Sequence, residues 1–213
     1  FPWVLIASSL SLWLKEEGLS RSTIGWAGLI FGVYAFNYLW APIVDRINKF
    51  SQIIGFILIT SGLLIASYDL VSGLEINAPY YPIFRGVIMS IVGIFFLKNN
   101  LSSGINKISD RLGHRRTWIV SMQFIILISL VIWSYINPTE NLALLITVGL
   151  IIAIASATQD ITVDALRIEQ INENEGKAMA AGAAMAVVGW WTGYKLGGVV
   201  ALFTAEYFEN MGI

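Results

Sequence analysis

Residues 142–159 form an apolar stretch without one charged side chain, and Asp160 and Asp164 stand at its far end. A soluble core element alternates between buried and wet faces, and this stretch does not. A helix needs about 20 apolar residues to cross the hydrocarbon of a bilayer, and only a helix or a closed barrel satisfies its own backbone there. Comparable runs recur at 23–44, 117–136 and 178–205, and residues 1–14 supply a shorter one. Of the 213 residues, 56% are hydrophobic and only 13% charged, roughly half the charge of a soluble domain. The reading is an all-α integral membrane protein.

That composition also excludes chemistry. A net charge of −1 argues against a nucleic-acid partner. With no cysteine and only His114, neither a thiol nor a histidine metal site is expected, and no cofactor. The chain opens on Phe1 with an apolar run too short to span, and it stops soon after another. Both ends are expected to be cut, the first inside a helix.

Taken in order, residues 1–14 read as the second half of a truncated first span. Ser20 and its neighbours offer caps for the next helix, at 23–44, which is spotted with Gly25, Gly28 and Gly32 and interrupted by Trp40-Ala41-Pro42. Residues 52–70 and 84–97 are apolar, with a loop expected from Asp69 to Pro82. The pair forms either a transmembrane hairpin or two interfacial helices, the hairpin being preferred. Leu101, Ile105, Ile108 and Leu112 recur at helical spacing, which predicts a short amphipathic surface helix. Spans at 117–136 and 142–166, a polar turn at 171–176 and a small-residue span at 178–205 complete the chain. Lysines and arginines collect on one side (Arg46, Lys98, Lys107, Arg111 and Arg116 among them), which makes that side cytoplasmic.

The charges inside the spans are the functional candidates, because a charge at lipid depth costs a few kcal/mol or more. Asp160 is flanked by Ala157, Ile161 and Val163, so it reads as part of an ion, proton or substrate path, or else as a headgroup-level carboxylate. Asp164 lies four residues on along the same face, and pairing with arginine is the preferred reading for it. Thr158 and Gln159 could supply hydrogen bonds to a solute, although Gln159 points ~100° from Asp160 on an ideal helix. Lys195 lies within the last span, roughly 18 Å along the normal from Asp160. It could meet a substrate carboxylate or snorkel outward. Asp45, Arg46, Asp110, Arg111, Arg115 and Arg116 read as a cytoplasmic charge latch, or as plain positive-inside topology, which is preferred for Arg115 and Arg116. The tryptophans are expected mostly as interfacial anchors or lipid-facing packing, with Trp190 and Trp191 open to stacking on a sugar.

Tyr38-Leu39-Trp40-Ala41-Pro42-Ile43-Val44-Asp45-Arg46 is similar to the Phe-Leu-Trp-Ala-Pro-Leu-x-Asp-Arg of AmpG-type muropeptide permeases. Ser156-Ala157-Thr158-Gln159-Asp160-Ile161-Thr162-Val163-Asp164-Ala165 resembles their Ser-Ala-Ser-Gln-Asp-Ile-x-x-Asp-Ala. Asp110-Arg111-Leu112-Gly113-His114-Arg115-Arg116 looks like the loop between the second and third helices of the major facilitator superfamily. In the family these loop motifs are nearly contiguous, whereas here an insertion at 48–109 separates them. Their Gly-Tyr-Arg-Leu-Gly could correspond to Gly193-Tyr194-Lys195-Leu196-Gly197 or to Gly189-Trp190-Trp191-Thr192-Gly193.

The resemblance implies the N-terminal half of a major facilitator helix bundle with an extra helical insertion. It implies proton-coupled import of anhydro-muropeptides across the bacterial inner membrane, with protons, the solute, the bilayer and a C-terminal half as partners. Another solute, such as an acetyl-coenzyme-A-like molecule, a sugar or a peptide, is the alternative. A membrane-embedded enzyme is a third reading, and it wants further acidic residues that the other spans do not supply. A structural or assembly protein would leave Asp160 and Lys195 without a use.

Overall fold

The structure, a computed structural model, describes residues 4, 6, 9–47, 49–76, 81–98, 103–171 and 176–211. The described helices are α1 (Leu10–Glu16), α2 (Arg21–Ala27), α3 (Gly32–Phe36), α4 (Ala41–Arg46), α5 (Phe50–Ile76) and α6 (Tyr81–Lys98). They continue with α7 (Ser103–Leu112), α8 (His114–Ser134), α9 (Leu142–Glu169) and α10 (Gly176–Asn210). Most of the first apolar run, the hairpin tip at 77–80 and the centre of the polar turn at 172–175 lie outside the described residues.

The long helix α9 is the axis of the fold, packed against α8 and against the segments around α3 and α4. Its inward positions include Leu145, Ile152, Ala153, Ala155, Ser156 and Ala157, all buried. Small side chains let helix backbones approach closely, which is the main attraction available where lipid is as apolar as leucine. Hydroxyls at this depth satisfy themselves locally: Thr147 donates to Ala143 O, Thr162 to Thr158 O and Ser121 to Thr117 O, each 2.7–2.8 Å. A hydroxyl bonded to the carbonyl one turn back leaves no polar group facing hydrocarbon.

Two tryptophans expected at interfaces or against lipid are instead internal. Trp118 is fully buried and donates to Ile47 O at 2.9 Å, and Trp133 donates to Leu145 O at 3.0 Å. A buried indole needs an acceptor for its N–H, and the chain ends around α8 supply one each time. Trp26, Trp190 and Trp191 are exposed.

The helix expected over 23–44 is broken into α2, a 3₁₀ segment (Gly28–Phe31), α3, a second 3₁₀ segment (Asn37–Leu39) and α4. Ser20 caps it as read, accepting from Thr23 N at 3.2 Å. The second break precedes Pro42, which sits in the first turn of α4, has no N–H to donate and crowds the carbonyl four residues back. At Gly25, Gly28 and Gly32 a side chain would meet nothing within 4 Å, so these glycines are not helix contacts among the described residues.

The inserted pair α5 and α6 forms a tight antiparallel hairpin. Gly55 faces Gly93 and Gly62 faces Gly86, each pair one heptad from the next; a Cβ on Gly55 would stand 2.7 Å from Gly93 O. Seven-residue spacing keeps one face in register along a shallow crossing. The loop expected from Asp69 to Pro82 is largely helical, since α5 continues to Ile76 and α6 starts at Tyr81. Asp69 tolerates its place because it is ion-paired with Arg85 at 2.8 Å, and Pro82 falls in a first helical turn, where a missing N–H costs nothing. Three described helical stretches, Ser51–Leu70, His114–Ser134 and Leu142–Glu169, are long and apolar enough to cross a membrane.

Candidate functional site

Two polar clusters flank α9. The first lies along the face that turns away from the packed core. Asp160, Val163, Asp164 and Ile168 are exposed there at helical spacing, while Ala157, Thr158 and Thr162 point inward. Across from it, on α3, the buried Tyr34 hydroxyl faces Ser156 and lies within electrostatic reach of Asp160. A carboxylate thus lies within electrostatic reach of a buried phenol at the edge of the core. Tyr34 packs against the core, and its hydroxyl and the Asp160 carboxylate can each hold a proton or a polar solute group.

Thr158, offered above as a solute ligand, is fully buried; it donates to Ile154 O at 2.7 Å and accepts from Trp40 Nε1 at 3.0 Å. It locks the chain before α4 onto α9 and has no hydroxyl proton left to give. Gln159 is half-buried, one residue round the helix from Asp160. Asp164 pairs with Arg167 at 3.1 Å along its own helix, and Arg167 also reaches Gly182 O on α10 at 3.4 Å. Lys195 is exposed near the middle of α10, with no ion-pair partner among the described residues. It is not brought to Asp160. Beside it Trp190 stacks on Tyr194, ring centroids 5.8 Å apart and 8° from parallel.

The second cluster ties three helix ends together. Arg115, at the start of α8, donates to Asp45 Oδ1 at the end of α4 (2.6 Å) and, through Nη2 and Nε, to Glu169 Oε1 at the end of α9 (2.7 and 2.9 Å). The guanidinium is only 14% exposed, whereas the carboxylates are more than half exposed. Its planar fork holds donors in fixed directions toward both carboxylates, where a lysine would offer one compact ammonium. Of the six latch candidates, Asp45 and Arg115 take part. Arg46, Asp110, Arg111 and Arg116 are exposed with no ion-pair partner among the described residues. Plain topology was the preferred reading for Arg115 because a basic residue near a span end looks the same whether it is buried or wet, and Glu169 was missed. Tyr34 was missed because an aromatic in an apolar run carries no mark of what its hydroxyl faces.

No family model matches the chain, and no solved structure matches it. The anhydromuropeptide permease of Escherichia coli K12 is 23% identical over 205 residues, 96% of this chain and 29% of that protein. The Rickettsia felis protein that bears the name AmpG 4 is 26% identical over 209 residues, 98% of this chain and 36% of that protein. The chain thus spans about a third of the length of these relatives. It is an all-helical, multi-pass integral membrane protein, and over nearly its whole length a distant homologue of the AmpG-type permeases of the major facilitator superfamily.

Proposed function

We propose that this chain is the N-terminal half of a secondary active transporter and not an enzyme. The proposed activity is proton-coupled import of anhydro-muropeptides across the inner membrane of a bacterium. The observation that carries this reading is Asp160. It stands on the uncovered face of the central helix, within electrostatic reach of the Tyr34 hydroxyl, where no packing need explains it. A carboxylate favours its proton in a dry setting and releases it when water or a cation arrives, so a cavity that opens to each side in turn moves one proton per cycle. Gln159 and Lys195 are assigned to the solute, Lys195 to a carboxylate of its peptide. Asp164, held by Arg167, tunes the charge around Asp160.

The gating assignment centres on Asp45, Arg115 and Glu169. By joining the ends of α4, α8 and α9 they make those helices move as one body during rocking of the two halves. Arg46, Asp110, Arg111 and Arg116 rim the same end. Anhydro-muropeptide is the preferred solute because a relative of this chain is named for it.

The test is uptake of labelled anhydro-muropeptide into vesicles bearing the full-length protein, with and without an imposed proton gradient. Gradient-dependent uptake that is lost in Asp160→Asn is the expected result. Uptake that is equal with and without a gradient would refute coupling. Gradient-dependent uptake retained by Asp160→Asn would refute the role of Asp160, and no uptake by folded parent would refute the solute.

A further inference from the structure

The end of the insertion and the short helix α7 carry three basic side chains that the ion-pair cluster does not use. Lys98 ends α6, and Lys107 and Arg111 lie on α7; all three are exposed with no ion-pair partner among the described residues. The fold brings them to one end of the molecule. The hairpin pairs Gly55 with Gly93, so the end of α6 returns to the start of α5, a few residues beyond Arg46. There α7 packs against α5 and α8. The single residue Gly113, at φ 82°, then turns the chain from α7 into α8. Because α8 is a candidate span that starts at His114, α7 sits where a membrane's headgroups begin.

The sequence of α7 fits that place. Ile105, Ile108 and Leu112 recur on one stripe, and Lys107 and Arg111 fall off it one turn apart, with Asp110 the one exposed acid. A short helix with an apolar stripe and a basic flank lies in the interfacial plane, its cations level with lipid phosphates. Two carboxylates at neighbouring helix ends, Asp45 and Glu169, are taken up by Arg115. We propose that the end of α6 together with α7 forms a binding surface for anionic phospholipid headgroups, with Lys98, Lys107 and Arg111 as the phosphate partners. The occupant is lipid rather than a soluble anion because Lys98 follows within one turn of the exposed apolar Ile94 and Phe95 of α6, a surface that acyl chains fit and a soluble anion does not.

The full-length protein is purified in a neutral detergent and supplied with dioleoyl-phosphatidylglycerol or dioleoyl-phosphatidylcholine. The lipid retained per protein is counted by native mass spectrometry. Phosphatidylglycerol is expected to be retained in preference to phosphatidylcholine, with the preference weakening as NaCl is raised. Each basic residue removed should lower it about fivefold, so K98Q/K107Q/R111Q loses on the order of 100-fold. The charge-keeping variant K98R/K107R/R111K retains the preference, which separates charge from damage to the fold. Equal retention of the two lipids in the parent, or no response to salt, overturns the proposal. So does an unchanged preference in the glutamine variant, or an equal loss in K15Q/R21Q at the opposite end. Release of the bound lipid by millimolar inorganic phosphate would assign the surface to soluble anions and overturn it as well.

Discussion

Replacing Arg115 by glutamine removes one guanidinium and with it both ties between the ends of α4, α8 and α9. The magnitude follows from exposure. The two carboxylates are 58% and 53% exposed, so each pair belongs with surface ion pairs, worth about 0.2–1 kcal/mol. The short, two-pronged geometry on Glu169 and the 14% exposure of Arg115 place both near the top of that range. Arg115→Gln should therefore cost about 1–2 kcal/mol, and Asp45→Asn or Glu169→Gln each roughly half as much. Arg115→Lys should fall between, since a single ammonium cannot hold both carboxylates in this geometry. The assay is a double-mutant cycle on unfolding of the detergent-solubilised protein by increasing mole fraction of dodecyl sulfate. In the Arg115→Gln background, Asp45→Asn and Glu169→Gln should become neutral or slightly stabilising, because each then relieves two facing carboxylates. If either costs the same in both backgrounds, with coupling below about 0.3 kcal/mol, the three residues do not act together and the tie is refuted.

Further expectations can be checked in the same unfolding assay. Gly86→Ala puts a methyl against the Gly62 carbonyl and 2.5 Å from Ala66 N, so the hairpin helices must part. Overpacking of that kind costs about 1–3 kcal/mol. Gly189→Ala, with nothing within 4 Å, should instead be neutral or gain up to about 1 kcal/mol in helix propensity, and the opposite order of the two would contradict the hairpin packing. Trp118→Phe leaves Ile47 O without its buried donor while keeping most of the edge contact with Phe56, and should cost about 1–3 kcal/mol. No loss there would place that carbonyl in contact with water. Thr158→Val keeps the shape and strands the Trp40 indole N–H, at a similar expected cost, with uptake by the full-length protein retained.

Much of this architecture was legible because lipid simplifies the problem. A run of apolar residues in hydrocarbon has one outcome, and α8 and α9 fall where their runs do. Breaks within runs were harder. Pro42 forecast one interruption, but nothing local forecast the 3₁₀ turn at Gly28–Phe31. Asp69 read as the start of a loop because a lone acid at the end of an apolar run marks water, and only the structure shows Arg85 arriving to pair with it. The heptad spacing of Gly55 with Gly62 and of Gly86 with Gly93 was in plain view, and their complementary order along two antiparallel helices would have favoured a packed hairpin over two separate surface helices.

The site shows why charge patterns alone mislead. The rule that basic residues gather on one side explains Arg46, Arg111, Arg115 and Arg116 equally, so it cannot single out the one that is buried. Arg115 stands 70 residues from Asp45 and 54 from Glu169. The whole insertion lies between the first pair, and yet the pair is closed at 2.6 Å. An insertion tolerated at that point must leave and re-enter the bundle at nearly the same place. The antiparallel hairpin does this by returning the end of α6 to the start of α5. Trp118, bonded to Ile47 O and edge-on to Phe56, then fixes the base of the hairpin beside the charge cluster. The insertion is thus joined to the tie through a buried indole, and to the bundle as a whole through the packing of α5 on α8 and α9.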